Sequence, residues 1–198
     1  MSTTERQLRK QICLAGRELR LRGLNVGAEG NISCRLDSSR ILITPAGKDK
    51  AGLTPDEIVA ISFAGRCDNQ AQQPSSEWRL HAAAYAAGSE LGAAVHLHSP
   101  YATAFAVAER PLPLGRFTET AALLGEAPLV PYAAPSSQEL ADSVAAQLDQ
   151  AQTFLLARHG AVCFAVDLKQ ALDRAIALEH CAQVLWLAES LRDGSKRS

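Results

Sequence analysis

Two short strand-like segments separated by four polar residues set the first limit on how this chain folds. The segments Asn-Ile-Ser-Cys-Arg-Leu at 31–36 and Ile-Leu-Ile-Thr at 41–44 are rich in aliphatic and β-branched residues, and Asp-Ser-Ser-Arg lies between them. So short a connection joins antiparallel neighbours as a hairpin, because parallel strands require a crossover of about a dozen residues or more. The sheet therefore contains antiparallel pairing from its first strands onward.

Helical and strand-like segments alternate only irregularly along the rest of the chain. An irregular order with hairpins favours a mixed or antiparallel sheet with helices on its faces over a doubly wound nucleotide-binding fold. The periodic patterns predict helices over 4–22, 74–88, 100–109, 136–148 and 168–191, and further strands over 58–63, 92–98, 128–132, 153–160 and 161–166.

Composition limits the class of protein and its partners. A chain of 198 residues, 47% hydrophobic and 21% charged, is typical of a single domain over 1–198. The net charge of -1 provides no global field that would attract nucleic acid or an anionic membrane. No apolar run is long enough to span a membrane, and the N-terminus lacks an apolar signal core. We therefore expect a cytoplasmic protein with no nucleic-acid or membrane partner.

The cysteines indicate neither a disulfide framework nor a cysteine-based zinc site. There are five of them, an odd number, and no C-x-x-C pair occurs. In a chain of this kind such spacing is typical of free, buried thiols.

Three of the five histidines occupy positions from which a metal site can form. His96 and His98 are two apart in an apolar strand-like run, so both side chains point to the same face. His159 ends another strand-like run, next to Gly160, where the chain turns. Three imidazoles with an open position are the ligand set of a catalytic zinc ion. Ordinary hydrogen-bonded histidines fit the same spacing equally well, and spacing alone leaves both interpretations open.

The segment Pro-Ser-Ser-Glu at 74–77 begins a predicted helix. The hydroxyls of Ser75 and Ser76, together with free backbone N–H groups at a helix start, are suited to binding an anion. The same serines are also ordinary N-capping residues. Glu77 is either a first-turn carboxylate that the helix dipole favours or a general base. His81 and His180 fall in helical patterns and are interpreted as structural, with a pocket role as the alternative for His81, one turn beyond Glu77.

Two glycine-containing turns, residues 27–31 and 44–47, are further candidates for binding phosphate. Small residues in such turns bring backbone amides close to an anion. Neither turn matches the P-loop or the dinucleotide-binding motif. Lys48 and Lys50 would add positive charge, although lysines in exposed turns are common.

Six segments of the chain, in their order, resemble the class II aldolase and adducin-head family. They extend over nearly the whole chain, from about residue 5 to 187, and within the family the run Ser-Ser-Glu-Trp-Arg followed by His is most similar to aldolases of fuculose phosphate. The fold that this resemblance implies is α/β, a three-layer α/β/α domain around a central, largely antiparallel sheet. The segments are AEGNISCRL, ILITPAG, LTPDEIV, PSSEWRLHAAAY, AVHLHSPYATA and ARHGAVCF.

The resemblance also implies an activity and an assembly. The implied reaction is the reversible cleavage of a ketose 1-phosphate, a phosphorylated sugar, to dihydroxyacetone phosphate and an aldehyde, with Glu77 as the catalytic acid/base. The implied assembly is a homotetramer with active sites at subunit interfaces. One zinc ion per subunit would be held by His96, His98, His159 and, in the resting site, Glu77. The phosphate would lie among Gly30, Asn31, Gly47, Ser75 and Ser76.

Alternatives to the aldolase reaction remain within the family. Zinc-dependent sugar-phosphate dehydratases, epimerases and decarboxylases share the fold and the histidines. A non-catalytic binding module of the adducin-head type is a further alternative, which the retention of all three histidines, Glu77 and the two serines disfavours.

The chain departs from the aldolase pattern at several points. Ala46 stands where the family has a threonine, which removes one hydroxyl from the phosphate site. Phe117 stands where the aldolase has a tyrosine that the neighbouring subunit lends to protonate the aldehyde oxygen, and the longer tail with a second tyrosine is absent. We therefore expect slow condensation with small hydroxyaldehydes, unless Thr118, Glu119 or a water in the zinc site donates the proton.

Overall fold

The strands of the protein form one twisted sheet. A computed structural model describes residues 2–116 and 122–194. The strands are β1 (Asn31–Arg35), β2 (Arg40–Ile43), β3 (Val59–Ser62), β4 (Ala93–Leu97), β5 (Leu129–Val130), β6 (Thr153–Leu156) and β7 (Gly160–Ala165). Their order across the sheet is β3-β2-β1-β4-β7-β6-β5. The neighbouring strands are antiparallel, apart from β5 and β6, which are parallel.

Helices cover both faces of this sheet and produce three layers. Side chains alternate along each strand, so Val95 and Leu97 of β4 pack into one core and Ala94 into the other. The first core lies under α1 (Thr3–Leu21), α3 (Pro100–Val107) and α5 (Leu168–Gly194), and the second under α2 (Trp78–Ala87) and α4 (Gln138–Ala145). The expected three-layer α/β/α architecture with a largely antiparallel sheet is confirmed.

The hairpin with which the sequence argument began is present. Strands β1 and β2 are antiparallel neighbours, with Ser33 opposite Ile43 and Arg35 opposite Ile41. The five cysteines lie among the described residues and none forms a disulfide, as their spacing predicts; all but Cys67 are buried. Among the residues that the structure describes, no helix combines the length and apolarity needed to cross a membrane.

The start of α2 differs from the sequence prediction. The pattern predicts a helix from Pro74 onward, but α2 begins only at Trp78. Pro74 pairs with Pro45 in an isolated β-bridge, and the N–H of Ser75 donates to the carbonyl of Thr44. These contacts keep the chain extended through Ser75. The two serines therefore lie in a turn that precedes the helix.

One buried carboxylate fastens α5 to the start of α3. Glu179 accepts hydrogen bonds from the backbone N–H groups of Tyr101, at 2.9 Å, and Ala102, at 2.8 Å. These groups belong to the first turn of α3, where the N–H groups have no partner within the helix. Because α3 begins two residues after His98, the contact also fixes where the chain leaves the end of β4.

We expect Glu179→Gln to lower the free energy of unfolding by about 1.5–3 kcal/mol, since the amide keeps one acceptor but loses the charge that strengthens both bonds. Urea unfolding at one fixed protein concentration measures this change. Glu189→Gln is the matched control, because Glu189 forms an exposed ion pair with Arg110 at 2.9 Å, worth less than about 1 kcal/mol. Equal effects of the two substitutions would contradict the proposed role of Glu179.

Candidate active site

Four side chains converge at the middle of the sheet. Nε2 of His96 lies 2.9 Å from Oε2 of Glu77, and Nε2 of His159 lies 3.2 Å from Oε1 of the same carboxylate. Nε2 of His98 is 3.1 Å from Nε2 of His96. One donor atom from each residue lies within 4.8 Å of every other. The structure thus brings together all four residues that the sequence suggested as metal ligands.

Adjacent strands deliver the three histidines. His96 is in β4, on the face that α2 covers, and His98 directly follows the end of that strand. His159 lies in the tight turn between β6 and β7, and β7 pairs with β4, so that Leu97 is opposite Ala161. Antiparallel pairing of β4 with β7 therefore places the end of one strand beside the beginning of the other, although more than sixty residues separate them in the chain.

Glycines allow the chain segments around the histidines to approach this closely. A Cβ atom at Gly160 would lie 2.6 Å from the carbonyl oxygen of Leu97 and 2.7 Å from the His98 ring. A Cβ atom at Gly30 would lie 2.5 Å from the carbonyl oxygen of His96, and φ there is +68°. A side chain at either position would push β4 away from its neighbours.

Electrostatics favour the protonation states that bind metal. Burial alone raises the pKa of the Glu77 carboxyl, but the neighbouring His96 and His159 and the Asn31 amide lower it well below its ordinary value. Burial, together with the adjacent imidazoles, lowers the pKa of His98 and of His159 to about 4. At neutral pH the site therefore holds an ionised carboxylate and imidazoles that offer lone pairs.

The arrangement fits a metal ion. Nδ1 of His96 donates to the carbonyl oxygen of Ala161 at 2.8 Å, so a neutral His96 presents the lone pair of Nε2 to Oε2 of Glu77. When Nε2 carries no hydrogen, the two lone pairs that face each other at 2.9 Å are stabilised by a bound cation beside them. Oε1 of Glu77 is also buried without a hydrogen-bond partner within the described residues. Three imidazoles and one carboxylate around such a position are a donor set typical of zinc.

A polar cavity of about 200 Å³ adjoins these four residues. It is bounded by the two glycine-containing turns, by the turn before α2 and by His98. All five residues that the sequence suggested for phosphate binding line this one cavity. Its lining consists of Ala28, Glu29, Gly30, Asn31, Pro45, Ala46, Gly47, Lys50, Ser75, Ser76, Glu77 and His98.

The cavity also contains charged residues on which the sequence gave little or no information. Lys50 is only 3% exposed, and its ammonium donates to the carbonyl of Ala28. The sequence suggested Lys50 as a source of positive charge beside this turn, but a lysine in a polar turn gives no signal that it is buried. Oε2 of Glu29 lies 3.7 Å from Nδ1 of His98, a contact that the sequence did not suggest.

The two remaining histidines differ in their surroundings. His180 is exposed on α5, away from the cluster, as expected. His81 is fully buried, with Nε2 against Oδ1 of Asn31, whose amide nitrogen is 3.0 Å from Oε2 of Glu77. The alternative pocket role for His81 thus has a direct path of contacts to the carboxylate.

The structure does not describe the segment that contains Phe117, where the chain departs from the aldolase pattern. Phe117, Thr118 and Glu119 lie outside the described residues, so the expectation of slow condensation stays a sequence prediction.

Comparison with known proteins gives consistent relatives. Residues 10–186 match the family described as Class II Aldolase and Adducin N-terminal domain. The L-fuculose phosphate aldolase of Escherichia coli O157:H7 is 35% identical over 187 residues, which are 94% of this chain and 86% of that protein. The 3-oxo-tetronate 4-phosphate decarboxylase of Haemophilus influenzae is 33% identical over 175 residues, 86% of this chain and 83% of that protein.

A solved structure agrees with these relatives in fold. The L-fuculose-1-phosphate aldolase of Thermus thermophilus superposes with a TM-score of 0.81 at 30% identity, covering 94% of this chain and 96% of that one. The match of the family over most of the chain, the relatives and the cluster of Glu77 with three histidines agree with one another. The chain belongs to the class II aldolase and adducin N-terminal domain family, as one of its class II, aldehyde-lyase-type enzymes.

Proposed function

We propose that the whole chain is one aldolase domain that binds zinc through His96, His98, His159 and Glu77 and reversibly cleaves a ketose 1-phosphate to dihydroxyacetone phosphate and an aldehyde. The observation that carries this proposal is the convergence of these four donors beside a cavity lined by anion-binding groups. Zinc in such a site supplies Lewis-acid polarisation of the substrate's carbonyl and hydroxyl oxygens.

Glu77 is suited to be the base that removes a carbon-bound proton from dihydroxyacetone phosphate in the condensation direction. In the cleavage direction it returns that proton. Its Oε2 accepts a hydrogen bond from the Asn31 amide at 3.0 Å and lies 2.9 Å from Nε2 of His96. Its Oε1 makes no hydrogen bond with the described residues, although Nε2 of His159 lies 3.2 Å away, and it is the oxygen suited to accept a proton. The carboxylate also lines the cavity, where a substrate would lie within its reach.

The cavity offers a phosphate both hydrogen-bond donors and positive charge. Within the described residues, no hydrogen bond uses the backbone N–H groups of Gly30, Gly47 or Ser76. The hydroxyl of Ser75 accepts a long bond of 3.4 Å from the N–H of Glu77, which leaves its own hydrogen available. The buried ammonium of Lys50 forms no ion pair with any described residue. Its positive charge, with the free N–H groups, favours an anionic ligand, although Glu29 and Glu77 in the same wall offset part of it.

Ordinary capping does not account for the two serines. Neither hydroxyl caps α2 in the way the alternative interpretation requires, because the helix starts at Trp78 with Glu77 as its N-terminal flanking residue and without a side-chain capping bond. A phosphate bound here would hold the reacting carbon of the substrate beside Glu77, in the orientation that the reaction requires.

The assembly in this proposal is a cytoplasmic homotetramer with interface active sites. Large apolar side chains that remain exposed support association of subunits, since each favours burial against a neighbour. The most exposed of them are Leu21 at 88% and Leu191 at 77%.

A decarboxylase of a phosphorylated sugar acid is a second candidate, favoured by the relative from Haemophilus influenzae. Both reactions break a carbon–carbon bond at the carbon adjacent to a carbonyl group and leave an enolate there. A metal held by the four donors would polarise that carbonyl in either reaction. Incubation with ketose 1-phosphates and with 3-oxo sugar-acid phosphates, followed by detection of aldehyde or of carbon dioxide, separates them.

The first prediction for this site concerns metal. His96→Ala, His98→Ala and His159→Ala should each lose most of the bound zinc and nearly all activity, because each removes one imidazole from the donor set. Metal content is measured by elemental analysis of the purified protein. His180→Ala is the control and should retain zinc, since His180 is exposed and outside the cluster. Full zinc content in His159→Ala would contradict the assignment.

The second prediction concerns the base. Glu77→Gln keeps the shape of the side chain but cannot accept a proton, so turnover should fall at least about a hundredfold while most of the metal is retained. Exchange of the carbon-bound proton of dihydroxyacetone phosphate with deuterated solvent, followed by NMR, should stop as well. Exchange at the wild-type rate in this variant would point to a different base.

The third prediction concerns phosphate. The double change Ser75→Ala with Ser76→Ala should raise KM for a phosphorylated ketose, because each lost charge-assisted bond costs about 1.5–3 kcal/mol. Zinc content should not change. An unphosphorylated ketose serves as the matched control substrate, and its slower reaction should be nearly unaffected. If both substrates lost the same factor, the serines would have only a structural role.

A further inference from the structure

Polar residues on β1 and α2 face each other in matching positions. Asn31 and Ser33 are two apart on the strand, which separates them by about 6.6–6.8 Å along its axis. Glu77 flanks the start of α2, and His81 and Tyr85 follow within the helix at intervals of four residues. Four residues of a helix span about 6 Å, so the three side chains lie on one face. The two spacings agree closely enough for each strand residue to lie between two helix residues.

The contacts form one continuous chain. The phenol oxygen of Tyr85 is 2.7 Å from Oγ of Ser33, and that Oγ is 2.6 Å from Nδ1 of His81. Nε2 of His81 contacts Oδ1 of Asn31, and Nδ2 of Asn31 is 3.0 Å from Oε2 of Glu77. None of the first four residues is more than 2% exposed, so water does not compete for these bonds.

The carboxylate at one end fixes the direction of every bond in the chain. An ionised Glu77 only accepts, so Asn31 must turn its NH₂ group toward it and its carbonyl toward His81. Nε2 of His81 must then carry a hydrogen. Because burial lowers the pKa of His81 to about 3, the ring is neutral, and Nδ1 accepts the hydroxyl hydrogen of Ser33. Because Ser33 gives its one hydroxyl hydrogen to His81, Tyr85 is the donor in the 2.7 Å contact with Oγ, and the Ser33 carbonyl at 3.2 Å is a second acceptor for the same phenol hydrogen. The dipoles of the chain therefore point toward Glu77.

We propose that His81, with Ser33 and Tyr85 behind it, is a positioning residue for Glu77, because this chain locks the Asn31 amide in the one orientation that donates to Oε2. The role of Glu77 as the base rests on the function proposed above. The fixed orientation of the Asn31 amide does not depend on that function, because it follows from the hydrogen bonds alone.

A purely structural role would be to fasten α2 to the sheet. Apolar side chains do this elsewhere in the same layer, where Leu80 and Ala84 of α2 pack against the strands. A buried polar group stabilises a fold only if all of its bonds are made, and even then the net gain is small. A chain of four such groups that ends on a candidate catalytic carboxylate is better explained by orientation, since aligned hydrogen bonds polarise one another.

The direction of the chain is tested by NMR, independently of activity. In protein labelled with ¹⁵N at its five histidines, long-range ¹H–¹⁵N correlations identify which ring nitrogen carries the hydrogen. His81 should carry it on Nε2 alone at neutral pH, with Asn31→Ala used to assign the signal. A hydrogen on Nδ1, or on both nitrogens, would overturn the proposal.

The positioning effect is tested by substitution at His81. His81→Leu should lower kcat and the solvent exchange of dihydroxyacetone phosphate by about 10- to 100-fold, with KM and zinc content nearly unchanged. His81→Gln should recover part of the loss, because its amide offers one donor to Asn31 and one acceptor to Ser33. Tyr85→Phe, which removes only the last donor, should give a smaller loss of the same kind.

A core substitution on the same helix separates positioning from stability. Leu80→Val should lower the unfolding temperature without changing kcat. If His81→Leu, measured at a temperature where it is folded, exchanged dihydroxyacetone phosphate at the wild-type rate, the positioning role would be wrong. A wild-type enzyme that exchanges no phosphorylated ketone would instead refute the proposed function, and the tautomer of His81 would still decide the direction of the chain.

Discussion

The close contact between one buried carboxylate, Glu77, and three imidazoles is the interaction on which the rest of the site depends. Charged and polar groups lose their hydration when they are buried, and only close partners of opposite charge or a bound cation compensate for the loss. Here Oε2 of Glu77 and Nε2 of His96 lie 2.9 Å apart, an arrangement that a positive centre stabilises, whether it is a proton or a metal ion. The surrounding structure must therefore be rigid enough to hold these groups together.

The middle of the antiparallel sheet provides that rigidity. β4 is hydrogen-bonded to β1 on one side and to β7 on the other, so its end is fixed from both directions. Gly30 and Gly160 let the flanking segments approach within distances that any side chain would prevent. Beyond His98, the chain enters α3, whose first turn is bound by Glu179. Each histidine thus belongs to, or directly adjoins, a segment with little freedom.

Helix α2 places Glu77 and its supporting side chains against this rigid sheet. Glu77 stands just before the helix, at a point set by the backbone contacts of Pro74 and Ser75 with the preceding turn. On the sheet side of the helix, His81 and Tyr85 continue the polar line that starts at the carboxylate. The same short segment therefore contains the proposed base, the two serines proposed to bind phosphate and the residues proposed to position the base.

The sequence by itself determined the hairpin, the order of helices and strands, and which four residues to consider as metal ligands, and these four form one cluster in the structure. These features depend on local spacing or on the order of motifs that resemble a known family, and the sequence alone displays spacing and order. Periodicity also placed His96 and His98 on one face of a strand, but it left open whether a metal or ordinary hydrogen bonds satisfy them.

Only the tertiary structure decided which distant residues meet. The contact of His159 with His98 depends on the pairing of β7 with β4, and no local pattern fixes which strands become neighbours. Burial of Lys50 and the alignment of Asn31 with His81 likewise arise from how a turn and a helix pack against the sheet. A polar residue in a turn or a helix looks the same in sequence whether water or protein surrounds it, so its role is set by packing.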